Sequence, residues 1–251
     1  MKKNYIILPV YNDWDSLKKV LEILNQSFKT LKSNNFIIIV NDFSSKKFIL
    51  NKKYSNLKKI NVLNLSKNVG SQKAIFFGLK YLKKIIKKKD KETIISILDS
   101  DGEDNPNMVK KLIKLVNLKK DYFIFASRKK RTENNFLKAL NQFRLIITFI
   151  LTGKYINFGN FSSFPSFLLN KILSNNNLYL AYSSGVLKNY NKFFFVKIKK
   201  NKRFYGNSKV NLKFLILHTV KIISVFYKTV FLRTFFLLVL TLLFLEDIKL
   251  K

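Results

Sequence analysis

Apolar residues in the first half of the chain come as short dense runs separated by stretches of helical periodicity. Tyr5 to Val10 is a run of β type; Leu17, Val20, Leu21, Leu24, Phe28 and Leu31 then recur every three or four residues, the spacing of one helix face. Phe36 to Val40 is a second strand and Ile60 to Leu65 a third, followed by a helix carrying Ala74, Phe77, Tyr81, Leu82 and Ile85. Thr93 to Leu98 reads as a fourth strand, Val109, Leu112, Ile113 and Val116 mark the next helix, and Tyr122 to Ala126 is a fifth strand. Strands alternating with helices predict βαβ units, hence an α/β fold with a mainly parallel sheet and flanking helices. Ligands of such sheets bind beyond the carboxyl ends of the strands.

Toward the C-terminus the pattern changes. Val210 to Tyr227 sets Lys213, His218 and Lys221, with Lys228 just beyond, among Leu, Ile, Val and Phe, like a basic amphipathic helix at an anionic membrane surface. Thr229 to Leu245 is apolar apart from Arg233, and as a helix reaches about 26 Å, short of a hydrocarbon core of about 30 Å. A shortened anchor, a hairpin, one end of an assembly and a buried core helix all remain open for it. The organisation expected is a globular domain over residues 1–209 and a membrane-associating tail of amphipathic and apolar helices over 210–251.

Composition narrows the class. A chain of 251 residues with 47% hydrophobic residues, 7 Gly and 3 Pro is neither disordered nor fibrous. It has no Cys, which excludes disulfides, thiolate metal sites and cysteine nucleophiles and fits a reducing compartment. The apolar run after Asn4 ends at Pro9, too short for a signal peptide, so the main body is expected in the cytoplasm. A net charge of +34 calls for anionic partners: nucleic acid, anionic lipid headgroups or phosphorylated substrates. Part of it is discounted as the Lys, Asn and Ile excess of an AT-rich coding bias.

Against that background one cluster stands out. The chain has only 14 Asp+Glu beside 48 Lys+Arg, yet Asp99, Asp101, Glu103 and Asp104 crowd into one turn directly after an apolar strand. Carboxylates so placed repel one another, and hard oxygen ligands suit Mg²⁺ or Mn²⁺, ions that keep positions open for substrate phosphates. With a turn at Gly102, alternate residues Asp99, Asp101 and Glu103 can converge, and Asn105 and Pro106 read as N-cap and first position of the next helix. The competing reading is a solvated acidic turn.

The polar clusters Pro9-Val10-Tyr11-Asn12, Val40-Asn41-Asp42-Phe43-Ser44, Asn68-Val69-Gly70 and Asp99-Ser100-Asp101-Gly102-Glu103 occur in the order and at about the spacing found in family 2 glycosyltransferases. Within that family the chain resembles the dolichol-phosphate mannose synthase and bacterial polyprenyl-phosphate glycosyltransferase branch. The similarity covers roughly residues 4 to 131 and returns at Arg203-Phe204-Tyr205-Gly206-Asn207-Ser208-Lys209, which resembles an Arg-x-x-Gly-x-Ser-Lys stretch of that branch. The resemblance implies a nucleotide-sugar-binding fold of the GT-A type. It implies that Pro9, Tyr11 and Asp42 hold the nucleotide base and ribose, and that Asp99, Asp101 and Glu103 form the metal and diphosphate site. Arg128 and Arg131 match a basic pair after the fifth strand, and Arg203, Ser208 and Lys209 match residues near the donor diphosphate and the acceptor phosphate. Two places depart from the pattern. Asn41-Asp42-Phe43-Ser44 loses one acid and has Phe where the family has a free Gly. Asn157 to Ser162 matches an acceptor-side loop only loosely, with an aromatic core turn as the other reading.

The expected chemistry is transfer of a sugar from a nucleotide-diphosphate sugar to polyprenyl phosphate at the cytoplasmic membrane face. Charge building on the leaving nucleotide would be met by a divalent ion on Asp99, Asp101 and Glu103 and by Arg128, Arg131 and Arg203. A lipid monophosphate, with a second pKa of about 6, needs no general base. His218, in the apolar tail, then reads as an interfacial helix residue rather than a catalytic one. One rival is a family 2 enzyme acting on a saccharide, with a carboxylate such as Asp104 as general base. The other is a non-enzymatic basic nucleic-acid-binding protein, which leaves the acidic cluster unexplained. The partners expected are therefore the sugar donor, the polyprenyl acceptor and an anionic membrane surface, with no nucleic acid and with self-association into a homo-oligomer left open.

Overall fold

The computed structural model describes residues 2–50, 52–87, 92–128, 135–206 and 212–249. The chain forms two compact units, one of residues 1–131 and 158–209, the other of residues 132–157 and 210–251.

The first unit is built on one sheet. In chain order it contains β1 (Lys3–Val10), α1 (Trp14–Phe28), β2 (Asn34–Asn41), β3 (Lys59–Asn64), α2 (Ser71–Ile85), β4 (Thr93–Ile97), α3 (Met108–Lys119) and β5 (Phe123–Arg128). After the excursion of residues 132–157 follow β6 (Phe158–Pro165), the short helices α5 (Leu169–Ile172) and α6 (Asn177–Leu180), α7 (Tyr182–Asn189) and β7 (Phe193–Ile198). The strand order is β3-β2-β1-β4-β6-β5-β7. β1 pairs in parallel with β2 and β4, β2 with β3, and β5 with β7; only β6 runs antiparallel, to β4 on one side and β5 on the other. The expected α/β class and its flanking helices are thus present.

The side-chain alternation of β1 divides the core into two layers. Ile6, Leu8 and Val10 face α1 and α3, meeting Leu17, Val20, Leu21, Val109, Leu112 and Val116. Tyr5 and Ile7 face α2 and α7, meeting Ala74, Leu79, Leu82 and Tyr182. Because β1 is central and covered on both faces, its sequence reads as a nearly unbroken apolar run. Gly78 lets α2 settle close to the sheet: a Cβ there would lie 3.0 Å from methyl groups of Ile7 and Val40.

The reversed direction of β6 matters for function. Ile97 pairs with Ser162 and Ser127 with Phe158, so the start of β6, including Asn160, lies beside the carboxyl ends of β4 and β5.

The second unit consists of α4 (Asn135–Thr152), α8 (Leu212–Val225) and α9 (Tyr227–Lys249), with α4 packed on both of the others. Residues 132–157, read from sequence as part of the 1–209 domain, therefore belong with the tail helices. The lone charge of the apolar run has a definite place. Nη1 of Arg233 donates to the carbonyl of Ile150 at 3.1 Å, at the C-terminal end of α4 where carbonyls lack helical partners and the helix dipole is negative. His218, on α8, is pushed down to about 4 by burial and then by the nearby Arg144 and Lys221, and so is neutral at physiological pH. Helix α9 is longer than the apolar run suggested: Tyr227–Glu246 is 20 residues of mean hydropathy 2.0, none of them buried, long and apolar enough to cross a membrane.

Candidate donor site

The parallel strands β1, β2 and β4 end at one edge of the sheet, and their following loops are sewn together by hydrogen bonds. The Ser100 hydroxyl donates to the carbonyl of Pro9 at 2.7 Å. The N–H of Asn12 donates to Ser44 Oγ at 2.9 Å, and Oδ1 of Asn12 accepts the N–H of Ser45 at 2.9 Å. Asn12 and Phe43 make their turns in the left-handed region, with φ of 52° and 64°. For a residue as bulky as Phe this is strained backbone, at the position where the resemblance called for Gly. The Phe43 ring is exposed, and so is that of Tyr11.

Asp42, expected at the nucleotide base and ribose, is buried, and both its oxygens are engaged. Oδ1 accepts the N–H of Val69 at 2.7 Å and Oδ2 that of Gly70 at 2.8 Å. Two amides on one carboxylate organise the loop leading into α2, with Gly70 at a φ of 86°. The first task of Asp42 is therefore to shape the β3–α2 loop.

The acidic turn is met by a basic segment that follows β7. Lys200 pairs with Glu103, while Arg203 pairs with Asp13 and, at 3.5 Å, with Asp101. Main-chain bonds lock the two segments: the N–H of Asn201 donates to the Glu103 carbonyl at 2.9 Å and that of Phe204 to the Asp101 carbonyl at 3.0 Å. Within the turn, Oδ1 of Asp101 accepts the N–H of Glu103 at 2.9 Å, and a carboxylate oxygen of Asp104 accepts the N–H of Asp99 at 3.2 Å. Even so, the Asp101 carboxyl is pushed up to about 6, by burial first and then by the Asp99 carboxylate. Negative potential is concentrated here beyond what Arg203 offsets.

The chain departs from expectation in two respects. Among the described residues no group of three or more His, Asp or Glu side chains converges for a metal, so the trio Asp99, Asp101 and Glu103 is not assembled. Glu103 is instead paired with Lys200, which sequence reasoning did not single out. The helix after the turn also starts later than expected, with Asn107 rather than Asn105 as its N-cap; Oδ1 of Asn105 instead accepts the N–H of Asn107 at 3.1 Å. Of the other expected residues, Arg128 is the last of β5, and Arg131, Ser208 and Lys209 lie outside the described residues.

Asp99 and Asp101 suit a hard divalent cation as a partial ligand set completed by phosphate oxygens, the arrangement Mg²⁺ and Mn²⁺ favour. Gly102 holds the geometry together. Its φ is 84°, and a Cβ would fall 2.3 Å from the Phe204 ring. We expect Gly102→Ala to displace Phe204 and with it Arg203. The predicted result is at least a tenfold loss of donor affinity, with a fall in melting temperature corresponding to about 1–3 kcal/mol of backbone strain. Calorimetric titration with a nucleotide sugar and a thermal melt together check this.

Comparison with known proteins follows the same outline. The chain is similar to an uncharacterized glycosyltransferase of Synechocystis sp., 29% identical over 135 residues, which are 53% of this chain and 40% of that protein. It shares its fold with glucosyl-3-phosphoglycerate synthase of Mycobacterium tuberculosis, a structure in complex with Mn²⁺, UDP and phosphoglyceric acid. That match has 11% identity and a TM-score of 0.62, and covers 91% of this chain and 78% of that one. It also shares its fold with residues 1–349 of TarS from S. aureus, at 15% identity and a TM-score of 0.51, covering 80% of this chain and 59% of that one. This chain thus spans less than two thirds of the Synechocystis and TarS relatives. The family profile of glycosyl transferase family 2 matches residues 5–207, through every strand of the sheet and the acidic turn, and the chain belongs to that family.

Proposed function

We propose that the protein transfers a sugar from a nucleotide-diphosphate sugar to polyprenyl phosphate at the cytoplasmic face of a membrane, as in the dolichol-phosphate mannose synthase branch. The observation that carries the donor half is the acidic turn Asp99–Asp101 at the carboxyl ends of β1 and β4 with Arg203 paired to it. Pro9, Tyr11 and the Asp42-ordered loop would receive the nucleoside. Asp99 and Asp101 would hold a divalent ion, Mg²⁺ or Mn²⁺, which when bound neutralises charge on the diphosphate. Arg203, with Arg128, Arg131, Ser208 and Lys209, would supply fixed donors to the phosphates. A phosphate oxygen of the acceptor attacks the anomeric carbon; the bond from that carbon to the diphosphate oxygen breaks, and the nucleoside diphosphate leaves with the electron pair.

The acceptor half is supported by the exposed apolar helix, which would keep residues 1–209, as the catalytic part, at the membrane where such a lipid resides. Asp104, the candidate general base for a saccharide acceptor, is turned inward to the N–H of Asp99, and a lipid phosphate anionic near neutrality needs no base. The test is release of nucleoside diphosphate by the full chain in lipid vesicles with Mn²⁺. Release is expected to rise when polyprenyl phosphate is added and to stop with a chelator, and the chain is expected to stay with membranes after a high-salt wash. Release that responds to free saccharides but not to the lipid would overturn the acceptor assignment.

A further inference from the structure

Two carboxamides outside the donor contacts just described stand behind Asp99. Gln72, in the first turn of α2, accepts the main-chain N–H of Tyr182 at Oε1 over 2.7 Å and donates from Nε2 to Oδ1 of Asn160 over 3.1 Å. Asn160, at the start of β6, in turn directs Nδ2 to Oδ1 of Asp99 at 3.4 Å. The main chain of Asn160 is fixed from the same side. Its carbonyl accepts the Ser162 hydroxyl at 2.9 Å, and Ser162 Oγ lies 2.9 Å from the Tyr182 hydroxyl. A serine hydroxyl has one proton, so with Ser162 donating to Asn160, Tyr182 donates to Ser162. Fully buried Tyr182 thereby closes a ring of hydrogen bonds around Asn160.

The ring has a direction. A main-chain N–H only donates, so Gln72 must turn its oxygen to Tyr182 and its NH₂ to Asn160. Asn160 must then turn its oxygen back toward Gln72, which leaves its NH₂ as the group aimed at Asp99. A donor facing a carboxylate is matched; an oxygen in the same place would repel it. We infer that Gln72 and Asn160 are positioning residues, a one-way hydrogen-bond relay from the Tyr182 main chain that holds the Asp99 carboxylate in the orientation used for donor binding. The role in donor binding rests on the glycosyltransferase reading above, whereas the polarity of the relay does not.

Gln72→Glu tests it without touching Asp99. The introduced carboxylate still accepts from Tyr182 but offers a second oxygen to Asn160, which must turn its NH₂ away from Asp99 and present Oδ1 instead. Gln72→Met severs the relay without reversing it. In the metal-free full chain, NMR is expected to show proximity between the Asn160 side-chain amide protons and the Asp99 β-protons in wild type, lost in Gln72→Glu. In calorimetric titrations of UDP with Mn²⁺, Gln72→Glu should bind about tenfold or more weakly, the range in which groups that orient metal ligands act, and Gln72→Met only a few-fold. In turnover the KM for the sugar donor should rise while the KM for the acceptor stays put, a split that general unfolding does not produce. Absence of the wild-type NMR contact, or wild-type binding by Gln72→Glu, overturns the relay. If wild type itself binds no nucleotide with Mn²⁺, the donor reading falls, and the NMR comparison still decides the relay.

Discussion

Replacing Asp101 with Asn is expected to remove metal-supported transfer while leaving the chain folded. The substitution deletes a carboxylate charge and no core volume, and the new amide oxygen still accepts the N–H of Glu103 that Asp101 accepts now. Loss of one direct ligand should lower kcat/KM by a hundredfold or more, about 3 kcal/mol of transition-state stabilisation. Stability should move the other way. Because the Asp101 carboxyl is pushed up to about 6, above its unfolded value, its contribution to stability is complete below the ordinary carboxylate range and disappears as pH rises through about 6. Metal-free wild type should therefore melt at a lower temperature above pH 6 than below it, and Asp101→Asn should flatten that dependence. Mn²⁺ with a nucleotide sugar should raise the wild-type melting temperature near neutrality and leave the variant unmoved. Wild-type turnover by the variant would remove Asp101 from the metal assignment.

Arg203→Lys carries the second-largest expected effect, although net charge is unchanged. The guanidinium uses all three nitrogens at once: one pairs with Asp13, one lies 3.5 Å from Asp101, and Nε donates to the Tyr205 carbonyl at 3.2 Å. An ammonium is a single point with no planar fork and cannot reproduce this span. With Lys at 203, the segment after β7 loses its grip on both acidic loops, and with it the placement of the cation proposed to face the diphosphate. A fall of about tenfold to a hundredfold in kcat/KM for the sugar donor is expected, some 1.4–2.8 kcal/mol. Steady-state kinetics at subsaturating donor measure it. Equal kinetics for the two proteins would mean that Arg203 serves only to tether its own segment.

What was legible in the sequence depended on how local the deciding physics was. β1, β2 and β4 are buried on both faces and so spell themselves out as apolar runs. β6 does not: Phe158–Pro165 contains Gly, Asn, two Ser and Pro, and its place is set by its neighbours, as in the buried pairing of the Ser96 and Ser163 hydroxyls at 2.7 Å. β7, Phe193–Ile198, went unread as a strand, although half its residues are aromatic. The acidic turn and Arg203 were each visible as motifs. That they face one another, with Asp13 and Lys200 as further partners, depends on the sheet bringing distant segments together. The pairing of Glu103 with Lys200 was illegible for the same reason, since nothing near Glu103 in sequence announces Lys200.

The placement of α4 has a consequence for how the protein is made. β5 has no strand beside it from the earlier part of the chain; β6 must be synthesised to join it to β4. Once β6 has emerged, α4 has left the ribosome too, while the helices packed on it, α8 and α9, are still to be made, so that Leu145 and Thr148, buried in the finished fold, lack those neighbours. At about 5–20 residues per second, a nascent chain carries this apolar helix uncovered for seconds. Chaperone or membrane capture during translation should therefore begin at α4, well before the long hydrophobic helix emerges, and a chain truncated after β7 would lack the cover of α8 and α9 permanently.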